Sequence, residues 1–135
     1  MTYFLAKSEP GVYSIDDLKR DGQTMWDGVR NPQALQAVRA MQPKDRILIY
    51  HSGGDSQIVG LAEVAGMPEP DPKDSKSWRV AVKYVRHLNP PVTLKEIKES
   101  HQFDSFALVR QSRLSTMQVP PDFIDWLRQE KNYKL

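Results

Sequence analysis

A chain of 135 residues has the length of one domain that can bury a core of its own. Its 39% hydrophobic and 27% charged residues are those of an ordinary globular protein, and a formal charge of +2 is far below that of a binder driven by charge alone. The lack of cysteine excludes disulfides, thiol catalysis and cysteine-based zinc sites, and no apolar run of about 18 residues is available to span a membrane, so a cytoplasmic protein is expected.

Thr2 to Lys7 reads as a first strand; the apolar start is too brief, and lacks the basic leader, for a signal peptide. Ser14 caps a short helix beginning at Ile15, with Asp17 three residues on as the acid of a capping box. Gln23 to Trp26 reads as a brief extended segment. Pro32 suits a first helical position, and Leu35, Val38 and Met41 make one apolar helix face. Arg46 to His51 is the clearest strand, and Ser52-Gly53-Gly54-Asp55 is a hairpin turn that sends Gln57 to Val64 back antiparallel. Gly60 within it suits a bulge or a close approach. Met67 to Ser77 reads as a solvated loop. In the strand Trp78 to Leu88, Trp78, Val80, Val82 and Tyr84 alternate onto one face, and Pro90-Pro91 ends it. Thr93 to Ser100 reads as a short helix, Leu114 to Val119 as a strand, and Pro121 to Glu130 as a helix with Phe123, Ile124, Trp126 and Leu127 inward. With no repeat and no linker, the expectation is one α+β domain over residues 1–135, built round a small, mostly antiparallel barrel of five to six strands with short flanking helices.

The hexapeptide Trp26-Asp27-Gly28-Val29-Arg30-Asn31 sets an indole beside residues that shape a backbone and hydrogen-bond a ligand. That mixture suits a flat ligand with polar edges, such as a nucleobase. Asn31 is suited both to reading a base edge and to capping the helix that starts at Pro32. Trp78 offers a second stacking surface at a strand end, while Trp126 belongs to the core. Ser8, at the end of the first strand, either contacts a ligand or closes a turn. Tyr50 and His51 stand at another strand end, where ligand sites in barrels form. Arg110 and Arg113, with Arg79 and Lys83, are candidates for phosphate contacts that position a backbone without reading sequence.

Catalytic signatures are lacking. There is no Gly-x-Ser-x-Gly elbow and no phosphate-cradling loop, and His51, His87 and His101 do not have metal-ligand spacing. No metal and no cofactor are expected. The rival readings are a ribonuclease, for which His51 with Glu9 or Asp27 is the available acid–base pair, and a protein-interaction module, which predicts a pocket filled by side chains.

Taken together, Lys7-Ser8-Glu9-Pro10, Tyr13 to Leu18, Trp26 to Asn31, Tyr50-His51-Ser52 and Arg110 to Ser115 resemble the EVE domain family, in order and across essentially the whole chain. The resemblance implies a PUA-like fold similar to YTH domains and a non-catalytic reader of a modified base, with modified cytosine in DNA or a modified RNA base as partner. It implies an aromatic-lined pocket with Trp26 and Trp78 as walls, lined by Ser8, Asn31, Tyr50, His51 and Ser115. Lys7, Arg30, Arg79, Arg110 and Arg113 would then hold phosphates at the rim.

Overall fold

Local signals set many of the element ends in the computed structural model, which describes residues 1–135. The strands are β1 (Tyr3–Ser8), β2 (Gln23–Val29), β3 (Arg46–His51), β4 (Gln57–Val64), β5 (Glu69–Asp71), β6 (Asp74–Thr93) and β7 (Thr116–Gln118). The helices are α1 (Ile15–Asp21), α2 (Pro32–Ala40), α3 (Leu94–Glu99), α4 (Ala107–Arg110) and α5 (Pro121–Lys131). The box at Ser14 closes as expected: Asp17 N–H donates to Ser14 Oγ at 3.1 Å, and Ser14 N–H donates to the Asp17 carboxylate at 2.9 Å. Thr93 and Glu96 form a second box at the start of α3.

The strands make one curled, mixed half-barrel sheet in the order β2-β6-β4-β3-β1-β7, with β5 beside β6. Every pairing is antiparallel except β1 with β3. That exception follows from connectivity. The chain leaves β1, builds α1, β2 and α2, and only then returns as β3, which is a crossover long enough for a parallel pair. A continuous core that includes Phe4, Leu5, Leu48, Leu61, Val82, Phe123 and Leu127 fills the inside.

Two sequence expectations are corrected, while the expected barrel of about five to six strands is met by six strands in one path with the short β5 beside β6. Part of the stretch read as a loop between Met67 and Ser77 is a β-hairpin, because β5 pairs with the early part of β6 despite its prolines and charges. Pro90-Pro91 does not end β6 at Leu88. Between the pairs Gly60–His87 and Ile58–Val92, β6 takes five steps while β4 takes two, so the prolines sit in a wide bulge where no ladder donor is needed.

Gly60 fills both roles open to it. The β3–β4 register slips beside it, and a Cβ at Gly60 would collide with the Ile15 side chain of α1. Only glycine lets that helix seat against β4.

The curl decides where a site can form. β2 is an edge strand, bonded on one side only, and the sheet bends until the Thr24–Asp27 stretch of β2 faces the end of β1 across a cleft.

Candidate functional site

The hexapeptide straddles the end of β2, a bulge and a helix cap. Trp26 pairs with Val80 and Val29 with Trp78, and the register slips between them. Gly28 sits at the slip with φ +76, a left-handed conformation that costs other residues energy. The slip ends β2 and turns the chain into α2, where Asn31 Oδ1 accepts from Gln33 N–H at 2.9 Å and from Ala34 N–H at 3.1 Å. The carbonyl half of the amide is thus spent on the cap. The NH2 half donates to no protein group and is exposed.

A cleft of about 590 Å³ opens in front of Trp26. Lys7 and Ser8 of β1 line one side, with Glu9, Val12 and Tyr13 of the following turn; Thr24, Met25, Trp26 and Asp27 of β2 line the other. Trp26 is half-buried, packed on the core yet open to the cleft. An interaction module with a pocket filled by its own side chains is not what this arrangement resembles. Ser8 Oγ donates to Tyr13 carbonyl oxygen at 2.5 Å, which closes the turn and leaves the hydroxyl only as an acceptor. Tyr13 OH donates to Asp21 at 2.8 Å, and burial, then that bond, raises the phenol above its usual range.

Lys7 sits farther in than a rim cation. Its Nζ lies 5.5 Å from the Tyr50 ring centroid and donates to Ser112 carbonyl oxygen at 3.0 Å. Burial lowers its pKa from the ordinary lysine value. Ser112 belongs to a second hollow, of about 300 Å³, lined by Asn31, Arg110, Gln111, Ser112, Arg113 and Leu114. Lys7 and the hexapeptide therefore join the two hollows, and Arg110 and Arg113 stand exposed at the outer one without a carboxylate partner.

The other expected site residues are spread more widely. Tyr50 is buried beneath Lys7. Ser115 supports β1 by accepting Lys7 N–H at 2.8 Å, and lines neither hollow. His51 Nε2 accepts Ile15 N–H at 3.1 Å, so the imidazole helps cap α1. Burial lowers its pKa, and the His87 charge acts the same way against the opposing pull of Asp16. The His51–Glu9 and His51–Asp27 pairs are not assembled at the cleft, since Glu9 and Asp27 line it and His51 does not. Trp78 lies outside the lining and carries the Arg39 guanidinium 5.7 Å from its ring centroid. Arg30 is bound to Asp74 at 2.8 Å and Arg79 to Glu69 at 2.6 Å.

Val12, Thr24 and Met25 line the cleft without having been singled out in the sequence, and Tyr13, noted there only as part of a motif, lines it too. The available signal was an apolar β-branched residue in a Pro-Gly turn, at Val12, where turn chemistry favours small polar types. Nothing in the sequence places that turn opposite β2.

The EVE domain family model matches residues 2–130. Thymocyte nuclear protein 1 of Rattus norvegicus is 31% identical, across 93% of this chain and 71% of its own length. A Rhodopseudomonas palustris protein solved by NMR superimposes with a TM-score of 0.90 at 35% identity, over 98% of this chain and 94% of that one. The human THYN1 protein, crystallised in complex with 5-methylcytosine-containing DNA, superimposes with a TM-score of 0.88 at 27% identity, over the full length of both chains. The matched family model spans nearly the whole chain: this protein belongs to the EVE domain family.

Proposed function

We propose that this protein is a non-catalytic nucleic-acid-binding module that takes a modified base into the cleft before Trp26, with modified cytosine in DNA as the first ligand class and a modified RNA base as the second. The observation that carries the reading is a half-buried indole open to a cleft of about 590 Å³, in a chain whose fold follows, end to end, that of a relative crystallised with 5-methylcytosine-containing DNA. Stacking on an aromatic face contributes roughly 1–3 kcal/mol per base.

The polar groups suit the edge of a cytosine. Glu9 and Asp27 can accept from its exocyclic amine. Lys7 has two ammonium hydrogens left after its bond to Ser112, enough for a base carbonyl or a phosphate. The free NH2 of Asn31 donates in the adjoining hollow. Arg110 and Arg113 would hold phosphates there without regard to sequence. A base reaches such a cleft from a single strand, or by leaving the stack of a duplex.

Titration of labelled oligonucleotides that differ only in one 5-methylcytosine, as single strands and as duplexes, tests the reading. Tighter binding of the methylated member is expected. Equal affinity for methylated and unmodified DNA, repeated with a panel of modified RNA bases, overturns it.

A further inference from the structure

Single apolar residues on a surface are ordinary, but their clustering at one cleft is not. Four large hydrophobic residues are exposed, and two of them, Val12 at 77% and Met25 at 44%, line the cleft before Trp26. Val12 is also held firmly. Its N–H and that of Tyr13 both donate to Glu9 carbonyl oxygen at 2.9 Å, and Ser8 Oγ clasps the base of the turn through Tyr13 carbonyl oxygen. Gly11 does not take a left-handed conformation, so the turn needs no special backbone there. A stiff turn therefore presents a β-branched apolar side chain to solvent, and nothing in the fold covers it.

A base that leaves a duplex opens a gap in the stack, and closing that gap with an apolar side chain is how proteins offset the lost stacking. We infer that Val12 is the wedge that enters the vacated position when a duplex presents its base to the cleft, with Met25 as the apolar lip on the opposite side. The inference rests on the base-reading function proposed above and adds the duplex as a substrate. A single strand has no stack to repair, so it needs no wedge. Val12 and Trp26 then divide the work: the indole receives the base, and the valine holds the place it left.

Val12→Ser separates the two. The side chain is exposed, so the variant should melt with the parent. With oligonucleotides carrying one 5-methylcytosine, the variant should bind the duplex about tenfold more weakly, a loss several times larger than its loss on the single strand. Duplex affinity equal to the parent's, with single-strand preference for the modified base intact, overturns the wedge alone. Equal losses on both substrates overturn it too, since a wedge has no place in a single strand. A parent protein that distinguishes no modified base even in single strands overturns the base-reading function, and the wedge with it.

Discussion

Two regions of this molecule carry the same side chains and use them differently. At the cleft and its adjoining hollow stand one tryptophan and two arginines, Trp26, Arg110 and Arg113. At the β5–β6 hairpin stand Trp78, Arg30 and Arg79. In the second region every group already has a partner: Arg39 over the Trp78 ring, Asp74 on Arg30, Glu69 on Arg79. In the first region the indole faces open space and the arginines meet no carboxylate. A cation that must leave a carboxylate to bind a phosphate gains little by the exchange, whereas an unpaired one keeps its full attraction. Composition counts the two sets as equal; only their surroundings tell them apart.

Substitutions can break this contrast. The largest effect is expected from Trp26→Ala, which should remove roughly 1–3 kcal/mol of affinity for the modified oligonucleotide and abolish the preference over its unmodified twin. Trp78→Ala should lower the melting temperature and leave the preference in place; loss of preference in both variants would make the two indoles one site. Arg110→Ala and Arg113→Ala should each weaken binding to all sequences alike and reduce the slope of log affinity against log salt by about 1. Arg30→Ala and Arg79→Ala should leave that slope where it is, and an equal reduction would erase the distinction.

Smaller effects sharpen the site itself. Asn31→Ala removes the single oxygen that accepts two N–H groups at the start of α2 and should cost about 1 kcal/mol of stability, measured by denaturant unfolding. His51 is held neutral in the fold, where burial sets its pKa below the ordinary 6.5. The unfolded chain therefore takes up a proton more readily, and stability present above about pH 6.5 should be lost as the pH falls below it. His51→Gln keeps an acceptor for Ile15 N–H and does not titrate, so its unfolding should depend less on pH in that window. An unchanged pH profile would mean that titration of His51 does not set the dependence.

What the sequence reveals follows the range of the interaction. The caps at Ser14, Asn31 and Thr93 are set by residues two or three positions away, and the β3–β4 hairpin by its own turn, so all of these are legible. The parallel pairing of β1 with β3 joins residues more than forty positions apart and has no local signature. The β5–β6 hairpin is masked by prolines and charges whose unfavourable local preference is overridden by pairing. For the site, the residue types at Trp26, Lys7 and Ser8 point to a ligand, and the cleft does gather them. Tyr50 and Trp78 carry the same chemistry but are covered, one by Lys7 and one by Arg39, and covering is a property of the folded chain.

The bond from Lys7 to Ser112 spans 105 residues, and β1 closes against β7 beside it. Contacts of such long sequence separation form only after much chain entropy has been surrendered, so the Lys7–Ser112 bond is expected to close late in folding. During synthesis Trp26 leaves the ribosome long before Ser112, which anchors the lysine. An unfinished copy therefore carries the indole without the fastened lysine that stands at the other side of the finished cleft.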